Sequence, residues 1–236
     1  ASSRPEGAAV PLPPAAQPYL LTVGADGVWL AAGTRLWKID PATGAAEMTT
    51  PLGGSATAVL DAAGSVWATV TTAQGGRLVR INPSSGAIGS QTLVGPSPSA
   101  LTVADGLAWV TDSVDQSILR FAIGRRALRR TGLIALPRSS VRTPTQITVT
   151  AGRVWVYERG RVLRIDPATD RVIGTTSLAP ATGGTIAAGT SGVWVITRTR
   201  VHHLGAVRLL DPVSGLPAGR RRAVGGDPTA IVTDGS

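Results

Sequence analysis

Glu158, His202 and His203 are the side chains of this chain best suited to proton transfer or metal ligation. They have little company: the two histidines are the only ones in 236 residues, and glutamate occurs only as Glu6, Glu47 and Glu158. A carboxylate beside an imidazole can work as an acid–base pair, which is the chemistry of a lyase or hydrolase step. Neighbouring residues on a strand point to opposite faces, so His202 and His203 do not readily ligate one ion. Asp112-Ser-Val-Asp115 brings two carboxylates together, but a calcium loop requires more oxygen ligands than this segment supplies. There is no G-x-S-x-G elbow, no Walker A loop and no H-E-x-x-H. Cysteine is absent, which removes disulfides, thiolate metal sites and a Cys nucleophile together. No metal site and no cofactor are expected; a divalent cation is the one candidate and has no supporting ligand set.

Cationic chemistry is far better represented. The net charge is +9, and Lys38 is the only lysine among 23 basic residues. Such a field favours anionic partners. The aromatics do not interleave with the arginines as a groove for single-stranded nucleic acid requires, so nucleic acid is not the expected partner. Two clusters stand out: Arg125, Arg126, Arg129 and Arg130, and then Arg220, Arg221 and Arg222. Charges on edge strands keep a sheet from pairing with other chains. The same clusters would also make a basic rim for an acidic partner.

These residues hang on a repeat. Trp29, Trp67, Trp109, Trp155 and Trp194 recur at spacings of 38, 42, 46 and 39, each after a turn ending in Gly. Each is followed by a basic-apolar segment: RLWKIDPATG from Arg35, RLVRINPSSG from Arg77, SILRFAIG from Ser117, RVLRIDPATD from Arg161 and VRLLDPVSG from Val207. Short strands repeating every ~40 residues are the signature of a β-propeller, one blade per repeat. In the second repeat, strands are predicted over Ala56–Leu60, Ser65–Val70, Arg77–Ile81 and Ile88–Val94, with a loop over Thr71–Gly76. Strands apolar on both faces suit a blade sandwiched between neighbours. Asp40, Asp166 and Asp211 of the Asp-Pro turns, and Asp26, Asp105 and Asp234 beside glycine, are expected to be turn formers. The tryptophans are expected to fill the space between blades. The fold class is therefore all-β, a propeller of four-stranded antiparallel blades.

The segments GVWLAAGTRLWKIDPATG, SVWATVTTAQGGRLVRINPSSG and RVWVYERGRVLRIDPATD resemble the blades of bacterial virginiamycin B lyase-like and YVTN-type propellers. The resemblance covers nearly the whole chain and implies a ligand site at one mouth of a central channel, built from the loops that join second to third strands and fourth strands to the next first strands, with the candidates drawn from the second-to-third loops. That rule gathers Asp112, Asp115, Gln116, Tyr157, Glu158, Arg159, Arg198, Arg200, His202 and His203, with Asp112, Asp115 and Glu158 the freest carboxylates. The lyase's set of His and Glu residues around a divalent metal is not matched here. The expected function is a non-catalytic binding or sensing module for a protein, peptide or carbohydrate ligand. A metal-assisted lyase or hydrolase using Glu158 with His202 or His203 is the alternative.

Residues 1–7 read as a linker and 8–236 as one propeller domain, halted before the second strand of a sixth blade. Five complete blades are visible, and Ala8–Pro14 and Asp227–Gly235 are expected to contribute single strands to a sixth; the alternative is a compact five-bladed ring in which the two terminal strands share one blade edge. The Ala-, Ser- and Pro-rich start resembles a tether to a membrane anchor outside this segment. An extracytoplasmic location is expected on that basis, with a cytoplasmic one left open.

Overall fold

The computed structural model describes residues 18–24, 27–139, 143–178, 181, 183–198, 205–226 and 228–231. It is all-β, a β-propeller of five four-stranded antiparallel blades, with no helix among the described residues. By contacts the chain divides into two compact units, Ala1–Leu93 and Val94–Ser236. The first unit holds blade 1, with β1 (Pro18–Gly24), β2 (Gly27–Ala32), β3 (Arg35–Ile39) and β4 (Ala46–Pro51), and blade 2, with β5 (Ser55–Ala62), β6 (Ser65–Thr72), β7 (Gly75–Ile81) and β8 (Ile88–Leu93). The second unit holds three blades. Blade 3 is β9 (Pro98–Ala104), β10 (Leu107–Asp112), β11 (Ser117–Ile123) and β12 (Leu128–Ala135). Blade 4 is β13 (Pro144–Thr150), β14 (Arg153–Glu158), β15 (Arg161–Asp166) and β16 (Arg171–Ser177). Blade 5 is β17 (Gly183–Gly189), β18 (Gly192–Arg198), β19 (Gly205–Leu210) and β20 (Arg222–Val224). Every blade runs in sequence order, first strand to fourth.

Local chemistry explains the meander. First and second strands join through two-residue turns such as Ala63-Gly64, Asp105-Gly106 and Ala151-Gly152, both residues of each at positive φ. That is the turn whose twist matches a hairpin. Third and fourth strands join through Asp-Pro turns in blades 1, 4 and 5 and through the related Asn82-Pro83 turn in blade 2. Asp40 Oδ1 accepts from the Ala42 N–H at 2.8 Å, its Oδ2 from the Thr43 hydroxyl at 2.6 Å, and Gly44 closes the turn at φ 71°. Asp211 does the same with the Ser214 N–H at 2.7 Å. The Thr43 hydroxyl in the first case and the Ser214 N–H in the second are the main reasons both carboxyls sit below their usual pKa. Asp26 and Asp234 lie outside the described residues.

The loop predicted over Thr71–Gly76 is shorter than expected. β6 runs on through Thr72 and β7 begins at Gly75. The Thr72 hydroxyl donates to the Gly75 carbonyl at 2.8 Å and accepts from the Gln74 N–H at 3.1 Å, which tightens the turn to two residues. At the ends, Ala8–Pro14 lies outside the described residues, and residues 228–231 form no strand.

The second strands are the buried centre of each blade: Ser65–Val70 of β6 are buried without interruption. The fourth strands are edges, and β16 alternates exposed and half-buried residues along its length. Trp29 packs with Ala56, Val66 and Ala68 of the next blade. Trp109 packs with Ile147, Val154 and Val156, and Trp155 with Ile186, Val193 and Val195. These three indoles fill layers between consecutive sheets, as expected, whereas Trp194 is only half-buried.

Register adds a second feature. The residue opposite the tryptophan on the third strand is Lys38, Arg80, Arg120 and Arg164 in blades 1 to 4. Their charged groups sit 6.0, 5.4, 5.4 and 5.9 Å from the ring centroids, within cation–π range. In blades 3 and 4 the guanidinium also reaches the next blade's Asp-Pro turn. Arg120 Nη1 donates to the Pro167 carbonyl at 2.6 Å and to Asp170 at 3.0 Å, and Arg164 donates to the Val213 carbonyl. Fourth-strand threonines grip the same turns: Thr50 donates to Gly86 O at 2.8 Å and Thr176 to Gly215 O at 2.7 Å. The turn is thus both a chain reversal and a blade-to-blade clasp.

Gly86 concentrates that double duty. Its φ is 68°, and a Cβ there would meet Met48 Sδ and lie 2.9 Å from Thr50 Oγ1. Gly86→Ala should therefore destabilise the fold by about 1–2 kcal/mol from the left-handed backbone alone, measured by urea unfolding. Unchanged stability would contradict the left-handed, crowded setting of Gly86.

Candidate functional site

In the second unit, a cavity of about 430 Å³ opens at the end of blades 4 and 5, where second strands turn into third strands. Its walls come from four places. Thr143, Thr145 and Gln146 lie at the start of β13, where the register slips between Pro144 and Gln146. Tyr157 lies near the end of β14 and Arg159 in the turn that follows. Gly183, Gly184 and Thr185 open β17, and Arg198 closes β18. Thr229 completes the lining.

Two glycines make this packing feasible. Gly183 pairs across the sheet with Arg198, and a Cβ on it would stand 2.5 Å from Arg198 Nε. A Cβ on Gly184 would stand 2.9 Å from the Tyr157 hydroxyl. Bare backbone therefore lets the guanidinium and the phenol settle onto the first strand of blade 5. Tyr157 is 1 % exposed, and its hydroxyl accepts from the Gly160 N–H at 3.4 Å. Burial raises the phenol's pKa above its usual value near 10; the Gly160 contact and the charges of Arg198 and Arg159 oppose that rise. Two cations, hydroxyls and an amide face the space, with no carboxylate among the described lining residues.

Tyr157, Arg159 and Arg198 are thus brought together. The other candidates are placed elsewhere. Glu158, next to Tyr157 but on the opposite face of β14, is 1 % exposed and accepts from Arg161 Nε at 2.5 Å, with Arg161 Nη2 beside the same oxygen. Asp112 is fully buried and accepts from the N–H groups of Ser97, Val114 and Asp115 at 2.8–2.9 Å, so it shapes the turn after β10. The expectation that Asp112 and Glu158 are among the freest carboxylates is corrected: both occupy the third position after the blade's tryptophan, which faces the interior. Asp115 is exposed in that turn. Gln116 is engaged at both ends of its amide, donating to Ser139 O at 2.5 Å and accepting from Ser139 N at 2.6 Å. Arg200, His202 and His203 lie outside the described residues. Among the described residues no three His, Asp or Glu side chains cluster in a way that would hold a metal ion.

The arginine clusters fall on edges. Arg125 and Arg126 are exposed in the turn between β11 and β12, and Arg129 and Arg130 are exposed on β12 itself. Arg220 and Arg221 are exposed before β20, which Arg222 opens. Both β12 and β20 are edge strands. Thr143, Thr145, Gln146, Gly183, Gly184, Thr185 and Thr229 were missed as lining. For all but Thr229 the signal was the Thr- and Gly-rich composition of the connections TPTQ and ATGGT.

No protein-family model matches the chain, and no curated protein matches it. Solved structures do share its fold. A periplasmic gluconolactonase from Pseudomonas aeruginosa aligns with a TM-score of 0.68 at 16 % identity, over 90 % of this chain and 72 % of its own. A candidate 6-phosphogluconolactonase from Bacteroides fragilis aligns with a TM-score of 0.69 at 13 % identity, over 89 % and 70 %. A Kuenenia stuttgartiensis hydrazine synthase aligns with a TM-score of 0.57 at 13 % identity, over 68 % of this chain and 46 % of that protein. The chain thus spans less than half of that last relative. At these identities the likeness is one of fold.

Tyr157 offers a clean test, because Tyr19 is the only other tyrosine. The neutral phenol is favoured in the folded state, so the stability it lends is complete below pH 10 and is lost as the pH rises through its raised pKa. Ultraviolet titration should show one phenol ionising above the ordinary range, and Tyr157→Phe should remove that transition. Two ordinary transitions in the folded protein would contradict the burial.

Proposed function

We propose that the protein is a binding module whose site is the basic cavity at the end of blades 4 and 5, and that its ligand is anionic. The fold is one commonly used for protein binding or scaffolding. The observation that carries the reading is the pair Arg159 and Arg198 at a concave, hydroxyl-lined space with no carboxylate among its described lining residues. Guanidinium groups suit carboxylate and phosphate oxygens, which they bind in paired hydrogen bonds. The volume falls in the range of small-molecule sites, about 300–1,000 Å³. A smaller acidic group of a peptide or protein would enter the same space. The basic residues Arg125, Arg126, Arg129, Arg130, Arg220, Arg221 and Arg222 would add a rim for such a partner.

The motif likeness to virginiamycin B lyase-like and YVTN-type propellers supports kinship with those families, and we keep it as part of this proposal. An extracytoplasmic location is supported by the periplasmic gluconolactonase among the structural neighbours. Binding is preferred to lyase or hydrolase chemistry because the ion pair with Arg161 holds Glu158 as a buried structural anion. No metal or other cofactor enters the proposal.

Titration calorimetry with inorganic phosphate and acetate at low ionic strength tests it. Saturable, salt-sensitive binding is expected, weakened at least fivefold in both Arg159→Ala and Arg198→Ala. Equal binding by the wild type and both variants would remove the cavity as the site.

A further inference from the structure

On blade 5 the tryptophan face is finished differently from the others. Register places Trp194 opposite Leu209 and Ile196 opposite Val207. Alternation puts these four on the side turned away from blade 4, since Val193 and Val195 pack with Trp155 on the other side. Trp29, Trp67 and Trp155 are fully buried and Trp109 is 2 % exposed, whereas Trp194 is half-buried. The two positions that clasp the next blade have changed as well. Leu209 stands where a cation covers the indole, and Arg222 stands where Thr50 of blade 1 and Thr176 of blade 4 grip a turn. We propose that this face is a second binding surface, which takes a short acidic segment of a partner protein, with an apolar side chain on Trp194 and a carboxylate on Arg222. It shares no described lining residue with the anion cavity and does not rest on that reading.

The face is concave because its fourth strand is short. β20 pairs only with Gly205–Val207 of β19. Further along, Pro217 bridges to Leu210 and the Ala218 N–H donates to Leu209 O at 2.8 Å, so residues 219–221 leave the ladder opposite Arg208. In blade 4 the fourth strand follows the third along all six of its residues. The gap in blade 5 leaves a recess of about 470 Å³ whose walls include Trp194, Val207, Leu209 and Ala218, with the exposed Arg220 and Arg222 at its lip. Gly219, at φ 89°, has open space where a Cβ would point.

Recess and lip together select the partner. An indole without its cation, set among aliphatic side chains, is an apolar anchor point, and tryptophan and arginine are the side chains on which interface energy concentrates. A guanidinium binds a carboxylate through paired hydrogen bonds. Among the described residues no carboxylate lines the recess or pairs with Arg220 or Arg222. A wholly apolar partner would strip water from the guanidiniums without replacing it, and a bare anion would leave the indole wet. A segment with both kinds of group satisfies both. Another blade of this repeat fits less well, because it brings a single turn carbonyl to the clasp, as Gly86 and Gly215 do, where Arg222 offers five donors.

Fluorescence polarisation of the whole chain with three labelled pentapeptides tests this: Glu-Asp-Leu-Asp-Glu, Glu-Asp-Gly-Asp-Glu and Gln-Asn-Leu-Asn-Gln. The first should bind saturably and the other two at least tenfold more weakly. Arg222→Glu, a charge swap at an exposed position, should weaken the first peptide at least tenfold, and Trp194→Ala should do the same. If Trp194→Ala melts early, Arg222→Glu alone decides. Arg159→Ala should leave the affinity unchanged. Equal binding of the leucine and glycine peptides, or of the leucine peptide by wild type and Arg222→Glu, would overturn the inference. Loss in Arg159→Ala but not in Arg222→Glu would move the peptide to the anion cavity, overturning this surface and leaving that site standing. Phosphatidylglycerol vesicles bound through Arg222, with no peptide bound, would make the face a lipid site and overturn it too. Absence of binding by every peptide and by vesicles would overturn this surface alone, since the anion cavity is tested with phosphate and acetate.

Discussion

A cation laid on an indole, between two strands of the same sheet, is the contact from which this structure is built outward. The tryptophan of a second strand is a large surface that must leave water. Its edge does so by entering the layer shared with the next blade, as Trp29, Trp109 and Trp155 do. The basic residue opposite on the third strand covers its face. Because that residue is long, its far end reaches beyond the indole. Arg120 and Arg164 use it to hold the following blade's Asp-Pro turn. One cross-strand pair therefore sets register inside a blade and attachment between blades. Blade 5 departs from the rule: Leu209 stands opposite Trp194, which is only half-buried.

This arrangement separates scaffold from site. Residues near the middle of the second strands are committed to packing, and the position three after the tryptophan belongs with them. Ala32, Val70 and Thr197 are buried there, and so are Asp112 and Glu158. A carboxylate at that depth must be satisfied internally, and the turn amides around Asp112 and the guanidinium of Arg161 do this. Chemistry addressed to solvent is left to the strand ends and the connections between blades. That is where Arg159, Arg198 and the Thr–Gly segments meet.

The sequence carried the architecture because packing repeats and packing leaves a period. Trp spacing, the Gly-terminated turns and the Asp-Pro signature each announce a strand end by a local mechanism. Asp170 shows how far this goes: it replaces the turn glycine of blade 4, adopts φ 55° and still joins the clasp through Arg120. The basic residue of each third strand was visible too, but only the register placed Lys38, Arg80, Arg120 and Arg164 over indoles. The cavity was half legible. Tyr157, Arg159 and Arg198 follow from loop position, whereas Gly183, Gly184 and Thr185 read as ordinary turn-flanking residues until the neighbouring blade is brought against them. Burial of Asp112 and Glu158 was hidden for a related reason, since their polar type pointed outward and their place in the repeat pointed in.

The central claim is energetic, and a double-mutant cycle on Trp109 and Arg120 reaches it most directly. Trp109→Phe, Arg120→Met and the combined variant would be compared by urea unfolding. The account predicts a coupling of about 0.5–2 kcal/mol between the indole and the guanidinium. Strict additivity of the two substitutions would mean that the pairs decorate the blades without holding them, and would contradict it.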